Sequence, residues 1–262
     1  MAHDPFDHVM DSYSWEFFPT RGVSITLLRP LSKFVVLEIV AAVVILGIFL
    51  PLARRIRTGE PPRGVFWNLF ESLLVFIRDK VAKPALGEHD ADRYVPFLWT
   101  LFFFVLVCNL LGMFPFGGSP TASLAVTLVL AACSFLLIHG AAIAKNGLGG
   151  YLKSYVPHGV PKVLAFTLLV PIEVFGHFIK ALVLAVRLFA NMFAGHTVLA
   201  VILSFISLSA GAAAYVFWPI SIVSALMVVA LSFLELFVAF LQAFIFVFLT
   251  ALFIGETLHP AH

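Results

Sequence analysis

The chain is short of charge. Of its 262 residues only 11% are Asp, Glu, Lys or Arg, whereas 61% are apolar; a soluble domain carries roughly 25% charged and about 45–50% apolar residues. No soluble fold of this length hides so much apolar surface, so the bilayer is the solvent. Cysteine is equally scarce. Cys108 and Cys133 both lie inside apolar runs, which speaks against a disulfide framework and reads as a pair of small buried residues. The sequence has no phosphate loop, no Cys/His cluster with metal-ligand spacing and no serine nucleophile elbow. Neither soluble-enzyme chemistry nor a metal or cofactor is expected, and nucleic acid is not an expected partner. Of nine histidines, His3, His8, His259 and His262 are terminal, while His89 and His158 stand in polar connections. There is no internal repeat, so the inverted-repeat plan of many secondary transporters has no support. Residues 1–33 are polar and mixed and do not form an ordinary signal peptide.

What is present is a series of apolar runs. A membrane span takes about 20 predominantly apolar residues, and five stretches meet or exceed that: 34–53, 94–116, 121–144, 163–210 and 218–255. The expected fold is an all-α integral membrane protein, one membrane domain over 1–262 with residues 1–33 outside. The last two runs exceed the length needed to cross upright, which predicts strong tilt or kinking. Gly211, Ala212–Ala214 and Pro219 mark the turn between them. Residues 65–86 differ from the spans. Asn68, Glu71, Ser72, Asp79 and Lys83 recur there at helical spacing among aromatic and aliphatic residues. That is the pattern of an amphipathic helix on the membrane surface. A short sixth span is the alternative, opposed by Arg78, Asp79 and Lys80.

The basic residues give an orientation. Eight Lys or Arg fall between residues 51 and 93 and three between 145 and 162, while 117–120 and 211–217 have none. By the positive-inside rule, five spans then run from an external N-terminus to a cytoplasmic C-terminus.

Beyond residue 163 only Glu173, Lys180, Arg187, Glu235 and Glu256 carry formal charge. Arginine at the centre of a membrane helix costs at least about 2.5–3.5 kcal/mol on insertion scales, so intramembrane ionisable groups are functional candidates. At about 100° per residue, Glu173, His177, Lys180, Arg187 and Asn191 fall within roughly 80° and form a stripe about 27 Å long. His196 points to roughly the opposite face, about 13 Å along the axis from Arg187. On the last span Ser232, Glu235 and Gln242 share a face. Blander readings stand beside these. His177 can simply hydrogen-bond a neighbouring helix, Lys180 can snorkel, and Asn191 and Gln242 can serve as interhelical glue. Arg187 can be a structural partner of Glu235 or Glu173, although such a pair leaves the long stripe unexplained.

The segments RLFANMFAGH (187–196) and LQAFIFVFLTALFI (241–254) closely resemble the signature segments of subunit a of the F-type ATP synthase. NLLGMFPF (109–116) and PIEVFGHFIKALVLAVRLF (171–189) resemble the same family. The resemblance covers the chain from the first span onward. It implies a stator that clasps a rotating ring of c subunits, with peripheral-stalk b subunits, the rest of the synthase and membrane lipid as further partners. Two offset half-channels would carry protons to and from a carboxyl on each c subunit, coupling proton flow to rotation and ATP synthesis. Arg187 matches the family's essential arginine, with Asn191 and Gln242 as the polar residues near it. Glu235 and His196 match the proton-relaying pair of the outer half-channel, placed as in mitochondrial members rather than in the reverse order of many bacterial ones. That compensated placement implies that the two side chains face each other. Glu173 and His177 match the cytoplasmic half-channel, and Asn109 matches a polar position near the outer one. Such a subunit is no enzyme on its own. The missing targeting segment favours a bacterial inner membrane. A proton-coupled secondary transporter and a structural membrane anchor are the rival readings.

Overall fold

The computed structural model describes residues 32–57, 64–114, 118–151, 167–211 and 213–258, together with the backbone of 14–18, 23–26, 152–154 and 165–166. Most of the N-terminal segment 1–33, the end of the second expected span at 115–116, residues 163–164, and His3, His8, His158, His259 and His262 lie outside them.

Helix α1 runs over Lys33–Arg57. Helix α2, Val65–Phe76, passes through a π-helical turn at Ile77–Ala82 into α3, Lys83–Gly112. A 3-10 turn at Pro120–Ala122 precedes α4, Leu124–Ser154. A second π-helical stretch, Ala165–Leu169, leads into α5, Val170–Ser209, and α6 covers Ala214–Leu258. Five continuous helical stretches are long and apolar enough to cross a membrane. The fold is that of an all-α, multi-pass membrane protein, with one addition to the expectation: strands Ser14–Phe18 and Val23–Thr26 pair antiparallel. Their aromatic and β-branched residues suit a pleated ribbon.

The outward faces suit a lipid solvent. On α1, Val43, Leu46 and Leu50 are all more than half exposed, and they recur at helical spacing. In water that stripe would be an aggregation surface; against acyl chains it carries no penalty. Helices α5 and α6, with 40 and 45 residues, are about 60 and 68 Å long. A hydrocarbon core is about 30 Å thick, so both must incline, curve or project beyond it.

Two local expectations are corrected. Pro219 is not in the turn but within α6; near a helix start its missing N–H removes only one ladder bond, to the Tyr215 carbonyl. Cys108 is buried, but Cys133 is exposed on the surface of α4, and neither is in a disulfide. The segment 65–86 is helical throughout, with a π-helical turn at 77–82. It ends where Gly87 takes φ 79° and ψ 160°, a conformation that only glycine adopts at little cost, so the axis turns there. Trp99 donates its indole N–H to the Leu74 carbonyl at 2.8 Å. Arg78 forks onto Asp92 at 3.0 and 3.2 Å, and Lys145 pairs with Asp90 at 2.7 Å.

The chain divides into two compact units. One comprises Met1–Ile48, Phe103–Val126 and Leu188–Ala243. The other comprises Phe49–Phe102, Thr127–Arg187 and Phe244–His262. Each holds its own cluster of polar side chains.

Candidate functional site

In the first unit, polar residues of α3, α5 and α6 meet inside an otherwise apolar packing. His196 Nδ1 lies 3.0 Å from Glu235 Oε1, with both side chains largely buried. That separation is an ion-pair distance, while the ring N–H is not aimed well enough for a hydrogen bond. Glycine makes the approach possible. A Cβ on Gly195 would stand 2.8 Å from Glu235 Oε1, and one on Gly112 would stand 2.8 Å from His196 Nε2 and collide with the Cβ of Ser119. The carboxylate and imidazole therefore occupy the space that two side chains would otherwise fill.

Asn109 anchors a second set. Its Nδ2 donates to the Ala239 carbonyl at 3.2 Å, and its Oδ1 accepts from the Thr121 hydroxyl at 2.6 Å. Ser119 and Thr121 share a hydrogen bond of 2.6 Å. Along α5, Asn191 Nδ2 donates to Gln242 Oε1 at 2.7 Å. The buried Nε2 of Gln242 meets no acceptor among the described residues. A groove of about 260 Å³ runs beside Asn191, Gly195 and Glu235, its other walls being apolar residues such as Val198 and Leu231. The arrangement gives a carboxylate an approach route, an imidazole beside it and a chain of hydroxyl and amide groups on α3 and the following turn. Each of these side chains can donate or accept a hydrogen bond, and the carboxylate and imidazole can also bind a proton.

In the second unit, His177 is buried and its Nδ1 donates to the Glu173 carbonyl at 2.8 Å. The His139 ring on α4 lies edge-on to it, centroids 5.5 Å apart. The Glu173 side chain is exposed. Lys180 pairs with Glu256 at 3.0 Å and stands 4.9 Å from the Phe253 ring. Arg187 differs from all of these. It is exposed, and among the described residues it makes no hydrogen bond or ion pair. Pairing of Arg187 with Glu173, open on the sequence alone, does not occur among the described residues. Its charge is presented outward from an apolar helix.

Over residues 35–255 the sequence matches the ATP synthase A chain family. The chain belongs to the ATP synthase A chain family. It is 41% identical to ATP synthase subunit a of Myxococcus xanthus over 232 residues, 88% of this chain and 74% of that one. With the subunit of Chloroherpeton thalassium the identity is 38% over 275 residues, covering 99% and 80%. An Anaeromyxobacter dehalogenans subunit a is 45% identical over 199 residues, 75% of this chain but half the length of that relative. Membership makes the chain a multi-pass membrane component of the ATP synthase complex.

Six of the eight residues singled out in the sequence thus acquire partners within the chain: Asn109, His177, Asn191, His196, Glu235 and Gln242. Among the described residues, Arg187 and the Glu173 carboxylate do not. Sequence reasoning missed Ser119, Thr121, His139 and the packing role of Gly112 and Gly195. The two glycines stood in quoted motifs. His139 had no signal beyond being a histidine in an apolar run.

Proposed function

We propose that this ATP synthase A chain is the proton-conducting stator of the membrane sector, working against a ring of c subunits and held by peripheral-stalk b subunits. The observation that carries the reading is Arg187, a permanent cation exposed on an apolar helix without a partner among the described residues. The insertion cost of about 2.5–3.5 kcal/mol has to be offset by an anion outside the chain. A carboxylate in mid-membrane on a ring subunit has the matching problem, since it cannot cheaply face lipid while ionised. Beside the guanidinium it stays ionised and releases its proton. Arginine does not deprotonate in proteins, so it cannot pass protons itself and blocks a leak between the channels.

Asn109, His196 and Glu235, with Asn191 and Gln242 near the arginine, line the outer half-channel; Glu173 and His177 line the cytoplasmic one. The N-terminus is outside and the C-terminus cytoplasmic in a bacterial inner membrane, and 65–86 lies along the membrane surface. The eleven basic residues of 51–93 and 145–162 support this orientation. Each proton crossing yields about 2.3 kcal/mol per 100 mV, which the complex converts to rotation and ATP.

Arg187→Ala should abolish ATP-driven proton pumping in inverted vesicles while the complex still co-purifies with its ring. Normal pumping by assembled Arg187→Ala complexes overturns the reading. On a cysteine-free background, Glu88→Cys should react with an impermeant thiol reagent from the cytoplasmic side only, and Ala213→Cys from outside only. The opposite labelling exchanges the two half-channels.

A further inference from the structure

One buried hydroxyl in the first unit has no part in the function proposed above. Ser119 lies in the turn after α3, almost wholly buried, and its hydroxyl shares a hydrogen bond of 2.6 Å with that of Thr121. The direction of that bond follows from its neighbours. The Asn109 atom facing the Ala239 carbonyl must be the amide nitrogen, because a carbonyl only accepts. Its oxygen therefore faces Thr121, which gives its single hydrogen there. Ser119 is then the donor to Thr121, and its 3.4 Å approach to the Cys108 carbonyl has no second hydrogen to use. The lone pairs of the Ser119 oxygen remain, and no donor reaches them among the described residues. A complementary group stands across Gly112. His196 Nε2 is buried and has no partner among the described residues. A Cβ on Gly112 would stand 2.8 Å from that nitrogen and 3.0 Å from the Ser119 Cα, and would collide with the Ser119 Cβ. The edge of the imidazole and the serine side chain thus share the space above one glycine.

We infer that Ser119 is a positioning residue for His196: its hydroxyl oxygen accepts the Nε2–H of the imidazole across Gly112 and so keeps Nδ1 as the nitrogen that works with Glu235. The inference rests on the reading of His196 and Glu235 as a pair in the outer half-channel. A small turn of the ring closes the contact, and Gly112 has no side chain to obstruct it. An imidazole with its hydrogen on Nε2 presents a lone pair on Nδ1, which stands 3.0 Å from Glu235 Oε1. It can then accept the hydrogen of a protonated Glu235. When that hydrogen sits on Nδ1 instead, the carboxylate accepts from Nδ1 and Ser119 still accepts from Nε2. The hydrogen on Nε2 stays in place throughout, and the ring does not flip between the two states. The opposite tautomer would turn the Nε2 lone pair to those of Ser119, two buried acceptors without a hydrogen between them. Ser119 cannot become the donor to His196 without releasing Thr121, so the fixed direction of the Asn109–Thr121–Ser119 chain selects the tautomer.

The test uses the assembled synthase in inverted vesicles, with ring co-purification reporting assembly. Ser119→Ala keeps the Cβ packed on Gly112 and removes only the oxygen. It should lower ATP-driven acidification about tenfold, the scale of one buried donor left without an acceptor. Nitrogen NMR of ring-labelled histidine reads the tautomer directly, the His196 signals being those lost in His196→Ala. At a pH high enough to leave the ring neutral, wild type should carry its hydrogen on Nε2. Ser119→Ala should shift it in part to Nδ1, whereas a serine that merely packs would leave the tautomer where it was. Wild-type pumping by assembled Ser119→Ala complexes, a bare Nε2 in wild type, or an unchanged tautomer in Ser119→Ala overturns the inference. The wild-type spectrum decides even where Ser119→Ala does not assemble. Glu235→Gln in the same vesicles keeps the two ideas apart: if it stops pumping while Ser119→Ala does not, only the serine's role fails, and if it pumps normally, the pair itself is not a working one.

Discussion

Lys180 and Arg187 are two cations on one helix, seven residues and about 20° apart around its axis, and the protein treats them oppositely. Lys180 is answered inside the chain by Glu256 at 3.0 Å, with the Phe253 ring beneath its ammonium. Arg187 receives no such answer among the described residues. A satisfied charge is a local matter. On the function proposed above, a charge left unsatisfied in apolar surroundings finds its partner on another molecule, and that difference, rather than charge itself, would separate a working group from an anchoring one. A second contrast has the same form. The Lys180–Glu256 pair is nearly half exposed, whereas the side chains of His196 and Glu235 are 12% and 6% exposed. Exposed pairs contribute little to stability, but removing one member of a buried pair leaves an uncompensated group in a poorly hydrated place.

The sharpest way to break the first contrast is Arg187→Lys. Charge is kept, but an ammonium sheds its proton when desolvated and a guanidinium does not. ATP-driven acidification should fall nearly as far as in Arg187→Ala; retention of most pumping would mean that mere positive charge suffices. Next come the members of the buried pair. Glu235→Gln and His196→Ala should each reduce pumping on the order of 10²-fold, the lower range for a positioned proton-transfer group. The double exchange Glu235→His with His196→Glu should recover part of the loss, because the same two groups span the same gap. An exchange no better than the worse single variant, in fully assembled complexes, rules out a facing pair.

Gly195→Ala should have a smaller effect. The new methyl group stands 2.8 Å from Glu235 Oε1, and a carboxylate at the end of a flexible side chain can retreat. Pumping should drop several-fold with assembly intact; an unchanged rate would show that the Glu235 position is not critical. The smallest effect is expected for Lys180→Met. An exposed pair is worth about 0–1 kcal/mol, so both assembly and pumping should stay within twofold of wild type. A large loss would place Lys180 beside Arg187 as a working group and erase the contrast.

The sequence by itself determined the class of this protein and the inventory of its polar groups. Five long apolar runs require helices, because a backbone in lipid must satisfy its own hydrogen bonds. Arg187, Glu235 and His196 stood out because ionisable groups are costly in that solvent. Helical periodicity put Glu173, His177 and Arg187 on one side of α5, since that relation is local along a single element. Nothing local, however, relates residue 196 to 235, 191 to 242, or 109 to 239. Those meetings depend on how α3, α5 and α6 pack, and on the missing side chains of Gly112 and Gly195 that let them approach. The joining of His139 with His177 depends likewise on α4 packing against α5. Only the tertiary structure decided that Lys180 has a partner and that Arg187 has none among the described residues, because a charge's environment is set by its neighbours in space.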